Sequence, residues 1–208
     1  MKIYHAPVGM LQTNCYFAVN EELKEGVIFD PGGDAATIAS MVKQAGAKVV
    51  AICITHGHSD HIGALAKVRK ETGAPVYIGE ADADRLLNPQ SNLSFFVGED
   101  VKNEPADYLV KDGEVLDLGG MEFKCLATPG HTQGGICYYN AENQVAFVGD
   151  TIFCESIGRT DLPGGSYKDI LTSIKTKLLT LPDDVALLPG HGPHTSVKWE
   201  KLRNPFLQ

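Results

Sequence analysis

The chain has 208 residues, the length of one domain of upper-middle size. Its 18 Lys and Arg against 26 Asp and Glu leave a formal net charge of −8, which argues against a surface built to gather phosphates and so against a nucleic-acid partner. With 43% apolar and 21% charged residues the chain can bury a core and is too apolar for disorder.

The first ten residues lack the apolar stretch of a secretory signal, and no apolar run approaches the roughly 20 residues of a membrane span, so no membrane partner is expected. The five cysteines (Cys15, Cys53, Cys125, Cys137 and Cys154) are odd in number and include no Cys-x-x-Cys pair. A disulfide framework is therefore not expected, and the reducing cytoplasm is the expected setting.

Apolar runs rich in Val and Ile alternate with helical patterns, which predicts an α/β architecture with largely buried strands. A short strand near Ile3 is followed by a strand pair, Asn14–Val19 and Gly26–Phe29. Asp34 then caps a helix with Ile38, Met41, Val42 and Ala45 on one face, and Gly46 ends it. Lys48–Ile54 is the clearest strand; after a His-rich loop, a helix runs from about Ile62 to Thr72, where Gly73 stops it. Val76–Ile78 is a further strand. Residues 88–114 lose periodicity and read as a long functional or mobile loop. Three more strands follow: Met121–Leu126, Ile136–Tyr139 and Val145–Val148. Next come a Gly/Pro-rich loop from Thr151 to Ser166, a helix with Ile170, Ile174, Leu178 and Leu181 on one face, and a strand at Val185–Leu188. No low-complexity linker interrupts the chain, and residues 1–208 read as a single domain.

The chemistry concentrates in Thr55-His56-Gly57-His58-Ser59-Asp60-His61. In an extended segment the side chains at i and i+2 point the same way, so His56 and His58 can converge on one cation. Asp60 and His61 sit where the chain turns into a helix, so His61 should point towards a second cation. Two histidines leave a catalytic Zn²⁺ short of ligands, since such sites usually have three protein ligands and one open position. His131, Asp150 and His191 each stand at the carboxyl end of a predicted strand beside glycine, where α/β proteins place functional groups. His5 and His194 have no such context and read as structural or surface residues.

This series resembles the metallo-β-lactamase superfamily: Phe29-Asp30-Pro31-Gly32-Gly33, the His56–His61 cluster, then His131, Asp150 and His191 in order. Within it, Asn92-Leu93-Ser94, Gly130-His131-Thr132-Gln133-Gly134-Gly135 and Ser156-Ile157-Gly158-Arg159-Thr160-Asp161 resemble the glyoxalase II-like hydrolases, and more narrowly their small single-domain bacterial branch. The resemblance implies a four-layer αβ/βα sandwich of two mixed sheets flanked by helices. It also implies two divalent metal ions per chain, zinc first, with iron or manganese as alternatives. His56, His58 and His131 would hold one, Asp60, His61 and His191 the other, with Asp150 bridging. Asp30 would orient a ligand, or form the turn before Pro-Gly. Two-domain members carry a C-terminal helical extension that supplies much of their glutathione site, and this sequence ends 17 residues after His191. The thiol carrier therefore stays open, as do the acyl group and the oligomeric state.

The implied activity is hydrolysis of a small-molecule thioester such as S-lactoylglutathione, with Asp60 and Asp150 holding the hydroxide that metal ions generate by lowering a water's pKa from 15.7 to about 7. No separate general acid stands out, and a thiolate, with parent pKa about 8.5, leaves without one. The main rival is a mononuclear iron persulfide dioxygenase using His56, His131 and Asp150 as a 2-His-1-carboxylate set, to which Gly158-Arg159-Thr160-Asp161 also points. A β-lactamase, a nuclease and a flavodiiron-type reductase fit less well, and a non-catalytic metal-binding scaffold predicts a damaged ligand set. Arg159 either binds a substrate carboxylate or pairs with Asp161 to hold its loop. Phe95 and Phe96 either line an acyl pocket or anchor the long loop to the core. Cys154, after Ile152-Phe153, is expected to be buried.

Overall fold

Strand β2 (Thr13–Asn20) shows how the chain builds its layers. In the computed structural model, which describes residues 1–208, its Cys15, Phe17 and Val19 face one core and Tyr16 and Ala18 another, all buried. A strand with two dry faces needs a packed layer on each. The first sheet runs in the order β1 (Lys2–Val8), β2, β3 (Glu25–Phe29), β4 (Lys48–Cys53), β5 (Val76–Gly79) and β6 (Tyr108–Val110). Its first three strands are antiparallel neighbours and β3 to β6 are parallel ones. The second sheet orders β14 (Thr195–Ser196), β13 (Ala186–Pro189), β10 (Val145–Gly149), β9 (Ile136–Asn140), β8 (Glu122–Ala127) and β7 (Val115–Asp117), with one parallel pair, β10 and β13.

Three cores cement these layers. On the outer face of the first sheet, Phe17, Ile28 and Ile52 meet Ile38 and Met41 of α1 (Ala35–Ala45) and Leu65 and Val68 of α3 (Leu65–Thr72). Between the sheets, Phe29 stacks on Phe147 with ring centroids 3.8 Å apart and meets Phe123 and Tyr138 at 5.5 Å. On the outer face of the second sheet, Cys137, Val148 and Leu187 meet Ile170 of α4 (Tyr167–Ser173) and Val197 of α5 (Val197–Arg203). The result is the expected helix–sheet–sheet–helix order.

Several local expectations are corrected. Asp34 starts α1 from a left-handed conformation without capping it; its Oδ2 accepts the Gly9 amide at 2.8 Å, tying the helix entry to the β1–β2 turn instead. The helix expected at 62–72 is two pieces, α2 (Ser59–Ile62) and α3, because the Ala64 amide is drawn to the Pro31 carbonyl at 2.9 Å. The 88–114 stretch contains β6, three residues too short to show a period. The 151–166 loop folds a small hairpin, β11 (Ile152–Phe153) with β12 (Ser156–Ile157). The helix expected through Leu181 is α4 continued by one wider π turn at Ile174–Leu178. Phe95 does not anchor its loop, being 68% exposed. Polar groups do so: Asn92 Nδ2 donates to the Arg85 and Val101 carbonyls, and the Ser94 hydroxyl accepts the Val101 amide. Cys154 is only half-buried, while the other four thiols are buried, with Cys137 pushed up to about 11 and Cys125 to about 12 by burial.

Phe29→Ala removes the ring on which both sheets meet. Equilibrium denaturation is expected to show a loss of about 3–5 kcal/mol with an unchanged m-value.

Candidate metal centre

The carboxyl ends of β3, β4, β8, β10 and β13 deliver Asp30, the His56–His61 segment, His131, Asp150 and His191 to one edge shared by the two sheets. All seven expected ligands converge there. His56, His58 and His131 present donor atoms within 4.8 Å of one another, and so do Asp60, His61 and His191; His56, His61 and Asp150 form a third such group. Asp150 faces both sets: its Oδ1 lies 3.4 Å from His61 Nε2, and its Oδ2 lies 3.6 Å from His131 Nε2 and 3.7 Å from His191 Nε2. The approach requires glycine next to His191, because a Cβ on Gly190 would come within 2.3 Å of Asp150 Oδ1.

Hydrogen bonds on the far side of each ring decide which nitrogen points inward bare. The Arg159 carbonyl can only accept, so His131 Nδ1, at 2.8 Å, carries the proton and Nε2 is a lone pair. Asp30 accepts three bonds: from the Thr55 amide at 2.8 Å, the Thr55 hydroxyl at 2.7 Å and His61 Nδ1 at 2.9 Å. The Thr55 hydroxyl spends its one proton on Asp30, so it accepts from His56 Nδ1 at 3.1 Å, and His56 Nε2 is also bare. Asp30 therefore orients His61 directly and His56 through Thr55.

These bare nitrogens cannot satisfy one another. His58 Nδ1 lies 3.1 Å from His56 Nε2 and 2.9 Å from His131 Nε2, so at most one proton is shared among three nitrogens. Burial, with the His131 ring close by, holds the His58 pKa down, to about 3, and burial holds His56 well below its usual range. Burial also opposes charge on His61, but Asp60, Asp150 and Asp30 outweigh it and raise its pKa well above 6.5. The Asp150 carboxyl is buried as well, yet His61, His131 and His191 keep it below the usual carboxylate range. His58 Nε2, His61 Nε2 and Asp150 Oδ1 are buried with no hydrogen-bond partner. Buried polar atoms are rarely left so, and a set of imidazole and carboxylate donors fits divalent transition-metal ions.

Residues outside the expected set complete the frame. The Thr13 hydroxyl donates to Asp60 Oδ2 at 3.1 Å, where His191 Nε2 also lies at 3.1 Å. Asn14 Nδ2 donates to the Pro189 and Gly192 carbonyls at 3.0 Å, and the Tyr16 hydroxyl reaches Pro189 at 2.7 Å, fixing the loop that bears His191. Nothing in their sequence context separates these β2 residues from ordinary strand residues. His5 accepts no cation role; its Nε2 lies 2.8 Å from Asn14 Oδ1 and its ring stacks on Tyr16, with His194 edge-on at 5.5 Å.

A cavity of about 500 Å³ opens over the cluster, walled by Leu11, Leu93, Phe96, Phe153, Ile157 and Leu162. Arg159 stands at its side, holding Asp161 through two 2.8 Å bonds, with its guanidinium 5.9 Å from the Phe96 ring. A larger polar cleft of about 780 Å³ between α3 and residues 102–107 contains no histidine or cysteine, and its Arg69 is already bound to Asp107 and the Pro105 carbonyl.

The family profile of the metallo-beta-lactamase superfamily matches residues 8–191. The chain belongs to that superfamily. Full-length relatives within it include the probable metallo-hydrolase YqgX of Bacillus subtilis, 41% identical over 100% of this chain and 98% of its own. The hydroxyacylglutathione hydrolase GloC of Haemophilus influenzae is 37% identical over 100% and 98%. Among solved structures, the BLEG-1 B3 metallo-beta-lactamase superposes with a TM-score of 0.96 at 40% identity, covering 99% of both chains. TTHA1623 in a di-iron-bound form gives 0.87 at 32%, covering 98% of this chain and 100% of its own. ETHE1 from Myxococcus xanthus gives 0.82 at 27%, covering 99% and 84%. This is an enzyme fold of the metallo-hydrolase superfamily, with a His/Asp cluster suited to divalent metals.

Asp30→Ala would leave the Thr55 amide, the Thr55 hydroxyl and His61 Nδ1 buried without an acceptor. Denaturant melts of chelator-treated protein are expected to show a loss of about 3–5 kcal/mol.

Proposed function

We propose that the chain is a binuclear metallohydrolase, a thioesterase of the glyoxalase II type that cleaves an S-acyl thiol such as S-lactoylglutathione or a related small thioester in the cytoplasm. The observation that carries this reading is the pair of three-residue donor sets with the Asp150 carboxylate facing both. His56, His58 and His131 would hold one divalent cation and Asp60, His61 and His191 the other, with Asp150 between them. Such ions, zinc first and iron or manganese as alternatives, supply a water that is ionised near neutral pH and an electrophilic partner for a carbonyl oxygen.

The chain's own groups do the remaining work. The Arg159 carbonyl and the Asp30–Thr55 pair keep the inward nitrogens of His131 and His56 bare, so no proton has to leave these rings before they act as ligands. Asp60 and Asp150 place two carboxylates beside the reacting centre, able to accept hydrogen bonds from a nucleophilic water and hold its orientation. The apolar walls of Phe96, Phe153, Ile157 and Leu162 displace solvent around an acyl group. The cavity lining includes no Lys, Tyr, Cys or Glu that could protonate a poor leaving group. A thiolate, with parent pKa about 8.5, departs without such help, whereas an amine does not. Similarity to GloC and the five free cysteines support the glutathione-type, cytoplasmic reading.

A second reading, a mononuclear iron persulfide dioxygenase, is favoured by the likeness to ETHE1. It leaves Asp60, His61 and His191 without a role.

Elemental analysis is expected to find two metal ions per chain, and loss of thioester absorbance is expected without oxygen uptake. Oxygen consumption with a persulfide at one iron per chain would establish the dioxygenase instead, and faster turnover of a chromogenic β-lactam would establish a lactamase. Asp150→Ala is expected to lower kcat at least about a hundred-fold and to lose metal, since it faces both sets. Arg159→Ala is expected to raise KM by up to about ten-fold with kcat nearly unchanged, because its ion pair lies beside the cavity and away from the reacting centre.

A further inference from the structure

Asp82 sits in a 3₁₀ segment, Glu80–Leu86, directly after β5, and has no solvent exposure. A buried carboxylate needs donors, and this one takes them from the two loops that carry the His56, His58 and His131 set. Its Oδ2 accepts the amide of Gly57, the residue between His56 and His58, at 2.8 Å. Its Oδ1 accepts the amide of Gly134, three residues beyond His131, at 2.9 Å. Both contacts depend on missing side chains. A Cβ on Gly57 would come within 2.5 Å of Arg85 Cβ, and one on Gly134 within 2.3 Å of the Asp82 amide nitrogen.

Arg85 extends the link outward. Its Nε lies 3.3 Å from Asp82 Oδ1, Nη1 donates to the Ser91 carbonyl, and Nη2 donates to the Pro163 carbonyl at 3.1 Å. Ser91 and Pro163 adjoin the segments that bring Leu93 and Leu162 to the cavity wall. None of these bonds reaches Asp60, His61 or His191. The His191 loop is held separately, by Asn14 from the first sheet, whose amide also donates to the Gly190 carbonyl at 2.7 Å.

We infer that Asp82 is a positioning residue that fixes the spacing between the His56–His58 turn and the His131 loop, and so preforms one half of the metal centre independently of the other. The inference rests on the reading that the histidine trio holds a cation. Asp82→Asn keeps the side-chain volume but turns one acceptor into a donor facing an amide, so one of the two loop contacts is lost while the fold is disturbed little. The test is a titration of the chelator-treated full-length chain with Zn²⁺ against a chromophoric chelator, alongside thermal melts of the same metal-free samples.

For Asp82→Asn, one metal equivalent is expected to weaken roughly ten-fold to a hundred-fold, with the other changed by less than about three-fold and the metal-free Tm nearly retained. Asn14→Ala is expected to weaken the opposite equivalent. Should Asp82→Asn fail to fold by far-UV circular dichroism, Asp82→Glu, which keeps the charge but shifts both acceptor oxygens by one methylene, is expected to show the same selective weakening. Unchanged affinity for both equivalents, or equal weakening of both together with a collapse of the metal-free Tm, would overturn the inference. If the wild-type chain takes up a single equivalent, weakening of that one by Asp82→Asn supports the inference and its retention overturns it. A wild-type chain that binds no Zn²⁺ would overturn the metallohydrolase reading itself, an outcome visible before any variant is compared.

Discussion

At the shared edge of the two sheets, more acceptor atoms are buried together than the protein's own protons can serve. His58 Nδ1 lies 3.1 Å from His56 Nε2 and 2.9 Å from His131 Nε2, and the carboxylates of Asp60 and Asp150 close the other side. Left alone such a cluster is costly, since unpaired polar atoms in a low-dielectric interior lose their hydration without return. The arrangement makes sense as a receptor for positive charge. The outward bonds point the same way: Asp30, Thr55 and the Arg159 carbonyl take the protons on the outer side of the rings and leave the inner side bare.

Holding that cluster open demands rigidity from its surroundings, and the layered cores supply it. Strands β3, β4 and β10, which lead to Asp30, the His56–His61 segment and Asp150, are buried on both faces over most of their length, so their ends have little freedom to drift. Aromatic packing of Phe29 on Phe147 ties the first sheet to the second a few residues below Asp30 and Asp150. Cross-sheet hydrogen bonds finish the registration: Tyr138 to the Ile54 carbonyl, the Ile136 amide to the Thr55 carbonyl, and Asn14 and Tyr16 to the His191 loop. The metal centre is in this sense a consequence of how two sheets are aligned.

Chains with this fold carry different activities in their names, a hydroxyacylglutathione hydrolase and a metallo-beta-lactamase among them, so the scaffold does not choose the reaction. The choice falls to the cavity wall. Here the wall is mostly aliphatic and aromatic, and its one cation is already engaged with Asp161. Those features support the proposed substrate, an uncharged acyl group on a leaving group that needs no proton. The exposed Phe95 and half-exposed Phe96 belong to a segment held by Asn92 and Ser94, so polar bonds carry the loop and leave Phe96 free to line the opening.

Most strands were legible in the amino-acid order, because continuous runs of Val and Ile report strands buried on both faces, and so were His56, His58, Asp60 and His61, because His-x-His-x-Asp-His has no other economical use. The four-layer order and the grouping of His131, Asp150 and His191 with that motif came from the resemblance to a family, not from periodicity. What could not be read were contacts whose partners lie far apart in the chain. Asp34 reads as a helix cap, yet its carboxylate serves Gly9, since a turn from another hairpin offers a better-placed amide. Asn14 and Tyr16 read as plain strand residues, yet they hold a loop more than 170 positions away. Local composition determined which groups could bind metal and where strands would end. Only the tertiary structure decided which nitrogen of each ring faces inward, which backbone each buried polar group steadies, and which apolar side chains wall the opening, because each of these depends on a distance between segments that sequence spacing does not encode.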